Sequence, residues 1–373
     1  MNRRGFLRGA AGAGLVLGRG LPSLCERLAA QEPGPTLSKV EARYYAKLPD
    51  REIECRLCPR LCRLGDKERG YCGVRENQGG TYYSLVYGKV CSLNVDPVEK
   101  KPFFHVLPGT TALSMATAGC NVNCKFCQNW EISQVRAEQI EHFDLPPEAA
   151  AAKAESSGCP SIAYTYSEPT VFFEYMYDTA ERARRRGVRS LVVTGGHINT
   201  EPLADLVGVV DAVKVDLKGF SESFYKTYVR GALKPVLETI RTVARSKAWL
   251  EIVYLVIPTL NDRPEDLRDM ARWVRDNAGA DVPLHFSRFH PMYLMKDLPP
   301  TPLSTLEAAR ETALGQGLRF VYIGNVPGHK AESTYCPGCG GTVIQRVGYA
   351  VEAIRLKKGK CASCGTAIPG LWA

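Results

Sequence analysis

From about residue 110 onward, short apolar runs alternate with stretches whose apolar residues recur at helical spacing. The runs at 112–118, 161–166, 190–194, 212–217, 250–257 and 284–289 predict strands, and 320–323 predicts a short seventh. The stretches near 146–157, 169–186, 201–207, 235–247, 264–277 and 302–316 predict helices. Regular alternation of this kind predicts an α/β fold with a parallel sheet closed or partly closed as a partial (β/α)6 TIM-like barrel. The basic run Arg182 to Arg186 precedes Gly187, where a helix would end, and reads as a solvated terminus offsetting the helix dipole. Outside this region the pattern fades. Residues 31–50 read as a weakly structured linker, 51–75 have little periodicity, and 82–95, rich in Tyr and Val, predict a hairpin or strand pair. After Tyr335 the chain becomes a short tail. The expected organisation is a signal segment at 1–30, an N-terminal module at 31–105, a barrel at 106–330 and a tail at 331–373.

The opening MNRRGFLRGAAGAGLVLG places a basic start before an uncharged run from Gly9 to Gly18, with Leu28-Ala29-Ala30 offering small residues for cleavage. Ten residues are too few to span a bilayer. Arg3-Arg4 followed by Gly5-Phe6-Leu7 resembles the twin-arginine signal that exports folded proteins. That reading points to the periplasm, whereas a cofactor assembled in the cytoplasm points to the cytoplasm. The glycines of this segment follow no strand and lack the acidic residue that a dinucleotide loop requires.

With 373 residues, 45% hydrophobic and 23% charged, the chain is long enough for a substantial core and is neither disordered nor a multi-span membrane protein. Five arginines and Glu26 in the leader account for +4 of the net +9, leaving about +5 on the rest. So diffuse a charge argues against nucleic acid as a partner. The 14 cysteines change the picture, because their clustering points to metal rather than disulfides.

Cys120, Cys124 and Cys127 form C-x3-C-x2-C directly after the first barrel strand, a pattern expected by chance in about 0.02 of such chains. Three thiolates on a tight loop can hold three irons of a 4Fe–4S cluster and leave the fourth open to a ligand. A structural zinc would need a fourth ligand, and neither Cys159 nor His142 has useful spacing. Cys55, Cys58, Cys62 and Cys72 can close either a second, fully ligated 4Fe–4S cluster or an all-thiolate zinc site. In the tail, Cys336, Cys339, Cys361 and Cys364 form two C-x2-C knuckles separated by 21 residues. These suit a structural zinc or a single rubredoxin-like iron, and Gly338, Gly340 and Gly365 permit the tight turns. Cys25, Cys91 and Cys159 read as incidental.

With Phe126 before its last cysteine, the triad resembles that of the radical S-adenosylmethionine superfamily. The resemblance implies that S-adenosylmethionine binds the open iron and is cleaved by one electron to methionine and a 5′-deoxyadenosyl radical, which abstracts a substrate hydrogen. Tyr166-Ser167-Glu168-Pro169 occupies the place of a Gly-Gly-Glu segment, with Glu168 matching and Tyr166 and Ser167 departing. Thr194-Gly195-Gly196-His197 and Asp216-Leu217-Lys218 follow the third and fourth strands, the latter resembling a motif of glycyl-radical activating enzymes. The loop 257–262, including Asn261, resembles one that approaches the adenosine, and His290 follows the sixth strand. Thr194, Gly195, Asp216, Lys218, Asn261 and His290 are therefore candidate cofactor contacts beside Phe126 and Glu168.

Flanking segments at 96–102, 107–109, 127–131, 163–165 and 324–328 resemble the radical enzyme of the AmmeMemoRadiSam system, itself similar to pyruvate formate-lyase activating enzymes. That resemblance spans roughly residues 51–373 and implies an electron donor such as flavodoxin or ferredoxin and a substrate that is a partner protein, a small metabolite or a methylation target. A multi-cluster electron-transfer protein and a zinc-ribbon binding module are the competing classes. Neither accounts for polar residues placed repeatedly at strand C-termini.

Overall fold

The computed structural model describes residues 36–372, so the twin-arginine-like segment and Cys25 lie outside the described residues. Eight strands form one sheet: β1 (Ser92–Pro97), β2 (Thr111–Ala116), β3 (Ser161–Tyr164), β4 (Arg189–Thr194), β5 (Ala212–Asp216), β6 (Trp249–Val256), β7 (Leu284–Arg288) and β8 (Val321–Gly324). They lie side by side in chain order, β1 antiparallel to β2 and the other seven parallel. Among the described residues no pairing joins β8 to β1. The expected α/β fold with a parallel sheet is present, with seven parallel strands, and the sheet is not closed into a full barrel.

Helices α1 (Pro147–Ser156), α2 (Phe173–Arg185), α3 (Thr200–Val207), α4 (Leu233–Ala244), α5 (Pro264–Ala278) and α6 (Leu303–Gly315) fall where the periodicity predicts them. All four residues of β3 are buried, as a strand covered on both faces should be. On α4, Val236, Thr239, Ile240 and Val243 form the buried stripe at helical spacing. On α1 the buried positions are Pro147 and three alanines, which allow the helix to approach the sheet closely.

The expected linker at 31–50 is corrected over its described part. Val40–Glu41 pairs with Thr81–Ser84, and Tyr45–Lys47 pairs with Ile53–Cys55. The first of these pairings joins residues some forty positions apart, beyond the reach of a local sequence window. The expected hairpin at 82–95 is divided: Thr81–Ser84 pairs within the N-terminal module, whereas β1 joins the main sheet. From Leu37 onward the chain packs as one unit. A buried ion pair, Arg75 with Glu174, ties the N-terminal module to α2, and Arg75 Nε also donates to the Val171 carbonyl at 2.9 Å.

At the N-terminal end of the strands, Glu251 accepts from the His105 and Phe104 backbone N–H groups at 2.8 and 3.0 Å and from His285 Nε2 at 2.7 Å. His105 in turn bonds Pro369 and Tyr322, both at 2.6 Å, so the tail helps close this end. The opposite end is left for the site.

Candidate active site

The C-terminal ends of the parallel strands surround a cavity of about 440 Å³, within the size range of small-molecule sites. Cys120, Cys124 and Cys127 line it from the loop after β2, and among the described residues no fourth cysteine reaches it. That loop is not helical or extended and is held from outside. Asn123 and Lys125 donate their backbone N–H groups to the carbonyls of Val229 and Tyr228 at 3.1 and 2.8 Å, and Asn121 Nδ2 donates to the His197 carbonyl at 2.7 Å. Phe126 is buried against Phe224 and also lines the cavity. Burial pushes the Cys124 thiol up to about 12 and that of Cys120 well above its ordinary value, with Glu168 adding to the effect on Cys120. Lys218 opposes the rise at Cys124 and Cys127. Free thiols here would stay protonated, and metal binding would displace the protons. Three cysteines opening onto one cavity beside a lysine cation fit a cluster with one iron that the chain does not ligate.

Glu168 follows β3 and is 4% exposed. Its Oε1 accepts from Thr170 N, Thr170 Oγ1 and Thr194 Oγ1 at 3.1, 2.8 and 2.6 Å, and its Oε2 accepts from Gly195 N at 2.8 Å. Four donors from two loops thus fix one carboxylate at the cavity wall. A Cβ on Gly195 would lie 3.3 Å from Oε2 and 3.5 Å from Lys218 Cε, so the site has little space for a side chain there. Thr194 does not line the cavity; it acts on Glu168.

Asp216 and Lys218 both line the cavity and pair at 3.4 Å, while Lys214 gives Asp216 a second cation. Burial opposes the charge on Lys218, but Asp216 and the nearby Cys124 outweigh it and hold the ammonium above its ordinary value. Burial likewise opposes ionisation of Asp216, and the two lysines overcome it. Lys214 goes the other way: burial brings it down and Asp216 only partly offsets this.

Besides Thr194, two expected contacts do not line this cavity. Asn261 is buried and spans loops, donating to the carbonyls of Lys218 and Leu255 at 3.0 and 2.8 Å and accepting from Ile257 N at 2.7 Å. It positions the Lys218 backbone without lining the cavity. His290 is exposed and lies outside the cavity.

Sequence reasoning missed a second polar group on the same cavity. Asp96 accepts from Lys100 at 2.9 Å and also bonds Lys101 and the Tyr166 hydroxyl. Burial opposes its charge, yet these donors hold its carboxyl well below the usual range. Burial brings Lys101 down to about 8, against the pull of Asp96. Tyr166 has φ +66, a left-handed conformation costing about 1 kcal/mol outside glycine, and the Asp96 bond helps hold it there. No helical spacing signals this group, because Asp96 stands near the end of a strand and meets Lys100 through the single turn Val98–Lys100 that follows it.

The tail forms a separate site. Cys336 and Cys364 have Sγ atoms 3.5 Å apart, and Cys339 and Cys361 have theirs 3.8 Å apart. All four lie within 4.8 Å of one another. A tetrahedron with metal–sulfur bonds of about 2.3 Å has edges of roughly 3.8 Å, so this set can hold one metal ion.

A model of the Radical SAM superfamily matches residues 115–274. An uncharacterized protein of Methanocaldococcus jannaschii is 46% identical over 330 residues, covering 88% of this chain and 98% of its own. The pyruvate formate-lyase-activating enzyme of Streptococcus mutans is 24% identical over 166 residues, covering 42% of this chain and 63% of that protein. The solved structure of a radical SAM methyltransferase from Sphaerobacter thermophilus superimposes with a TM-score of 0.47 and 15% identity, covering 84% of this chain and 85% of that one. No helix among the described residues is long and apolar enough to cross a membrane.

Proposed function

The chain belongs to the radical SAM superfamily, and on that premise we propose that Cys120, Cys124 and Cys127 hold a 4Fe–4S cluster used to cleave S-adenosylmethionine. One observation carries the reading: the three cysteines and the clamped carboxylate of Glu168 line one cavity that no fourth cysteine among the described residues reaches. When bound, the cluster supplies one electron to break a carbon–sulfur bond of S-adenosylmethionine, producing methionine and a carbon radical able to take hydrogen from a substrate.

The chain's own residues bind and orient. Glu168 has its donors on the loop side, and it presents its remaining acceptor capacity to a cationic amino group in the cavity. Gly195, by lacking a side chain, leaves that approach open. Lys218 offsets the negative charge of the thiolates, and Asp216 fixes its position. Phe126 keeps water from the base of the loop. The four tail cysteines hold one zinc or iron ion as a structural brace.

Similarity to a pyruvate formate-lyase-activating enzyme supports a partner protein as the hydrogen donor and a flavodoxin or ferredoxin as the electron donor. The test is anaerobic reconstitution with iron and sulfide, followed by dithionite and S-adenosylmethionine. Release of 5′-deoxyadenosine and methionine, abolished by replacing any one of the three cysteines with Ala, is the expected result. Full iron loading with no 5′-deoxyadenosine would overturn the reading and favour an electron-transfer protein.

A further inference from the structure

The N-terminal cysteines are not used by the proposed reaction, yet they form a built site. Cys55, Cys58, Cys62 and Cys72 line one small cavity with Arg75 and Tyr82. The Tyr71 backbone N–H donates to Cys62 Sγ at 3.5 Å, and the buried Tyr82 ring lines the cavity beside the cysteines. Arg75, 1% exposed, lines the same cavity, with its guanidinium paired to Glu174 on the far side. Four cysteines lining one buried cavity, with an N–H aimed at one of their sulfurs, make a pocket for a group that thiolates ligate.

Spacing separates the two groups that could fill it. The tail cysteines are the only group of three or more metal-ligating side chains among the described residues whose ligand atoms all lie within 4.8 Å of one another. The N-terminal four do not converge in that way. They ring a cavity instead of closing on one point. Thiolates that share one tetrahedral ion must stand about 3.8 Å apart. Thiolates that each bind a different iron of a cubane stand farther apart.

The position of this cavity gives it a role. The Arg60 guanidinium, between Cys58 and Cys62 in the chain, donates through Nε to the Asn121 carbonyl at 2.9 Å and also bonds the Arg230 carbonyl. Asn121 follows Cys120 directly and lines the N-terminal cavity itself. On the other side, a Cβ on Gly119 would sit 2.8 Å from the Cys72 carbonyl oxygen, so the two cysteine loops touch through backbone. Outward, Leu61 and Tyr71 are 51% and 46% exposed, and the Tyr71 ring lies under the Arg60 guanidinium at 3.7 Å. The site therefore stands between solvent and the loop of the catalytic cysteines.

We propose that Cys55, Cys58, Cys62 and Cys72 hold a second 4Fe–4S cluster, which relays electrons from a protein donor to the cluster on Cys120, Cys124 and Cys127. Each transfer is balanced. A reduced flavodoxin- or ferredoxin-class donor is oxidised by one electron, the second cluster accepts it and returns to its starting state on passing it on, and no proton or bond changes hands. The relay rests on the proposed function; the second cluster does not.

The test uses the full chain, reconstituted without oxygen with ferrous iron and sulfide. The parent should hold about eight cluster irons per chain, and the triple variant Cys120→Ala, Cys124→Ala, Cys127→Ala should keep about four. After dithionite reduction, that variant should give a 4Fe–4S electron paramagnetic resonance signal that S-adenosylmethionine does not alter. The double variant Cys58→Ser, Cys62→Ser should keep only the S-adenosylmethionine-responsive signal. Its cleavage rate with reduced flavodoxin should fall at least tenfold more than its rate with dithionite, which is small enough to reach the other cluster directly. A triple variant with one zinc and no cubane iron at the N-terminal cysteines would overturn the cluster. Equal losses with the two reductants would overturn the relay. The triple variant decides the first point even if the double variant fails to fold. A parent that holds all its iron and cleaves no S-adenosylmethionine would sink the proposed function and leave the second cluster standing.

Discussion

Replacing Glu168 with Gln tests whether the clamp on this carboxylate serves the ligand or only the loops. The carboxylate receives two backbone donors, Thr170 N on Oε1 and Gly195 N on Oε2, at 3.1 and 2.8 Å. An amide has one oxygen, so either orientation sets its NH2 against one of those N–H groups. The hydroxyls of Thr170 and Thr194 can turn; the backbone cannot. In a residue only 4% exposed, one donor left unsatisfied costs about 1–3 kcal/mol, and the remaining bonds lose their charge assistance. The sum is about 3 kcal/mol, enough to lower the melting temperature by several degrees. On the cavity side, loss of a charge-assisted bond to a cationic amino group of about 1.5–3 kcal/mol weakens S-adenosylmethionine binding roughly ten- to hundredfold. Calorimetric titration with S-adenosylmethionine, a thermal melt and iron analysis should be run on the same preparation. Iron content should match the parent, because Glu168 is not among the cysteine ligands. A lower melting temperature with affinity within about twofold of the parent would refute the ligand role, and an unchanged melting temperature would refute the four-donor clamp itself.

Chelation of the tail metal, or Cys336→Ser, should lower the melting temperature, because four sulfurs within 4.8 Å leave a packed cysteine tetrahedron without its ion; an equal melt before and after chelation argues against the brace. His105, fully buried, is brought by burial from 6.5 down to about 4, so the unfolded chain binds more protons between those values. Its contribution of about 3 kcal/mol is present above pH 6.5 and lost as pH falls toward 4; melts that are flat from pH 7 to pH 5 would count against it. Glu174→Ala leaves Arg75 buried and unpaired and should cost about 3–5 kcal/mol in urea unfolding; a loss below about 1 kcal/mol would mean that water reaches the guanidinium. For the leader, Arg3→Lys with Arg4→Lys should abolish export in cell fractionation, and a parent that stays wholly cytoplasmic would refute the signal.

By itself the sequence determined the order and kind of the main elements. Seven apolar runs and six helical stretches are local patterns, each read within a window shorter than the element's own length, and the parallel strands and α1 to α6 follow them. The triad was legible for the same reason, since a C-x3-C-x2-C loop brings its ligands together through the chain alone. Contacts between distant segments decided the rest. The described part of the supposed linker is structured because Val40–Glu41 finds Thr81–Ser84, and that pairing leaves no periodic trace. Asp96 and Tyr166 meet because β1 and β3, which Tyr166 follows, both pair with β2 in the sheet. His290 and Asn261 stand at plausible distances after their strands, but loop geometry sets where such side chains point, and no local pattern encodes it. Nor could spacing choose between a cluster and a zinc ion for Cys55, Cys58, Cys62 and Cys72. That choice depends on how far apart four sulfurs are held, which is set by Arg75, Tyr82 and the loop after β2 packing around them, and so belongs to the tertiary structure.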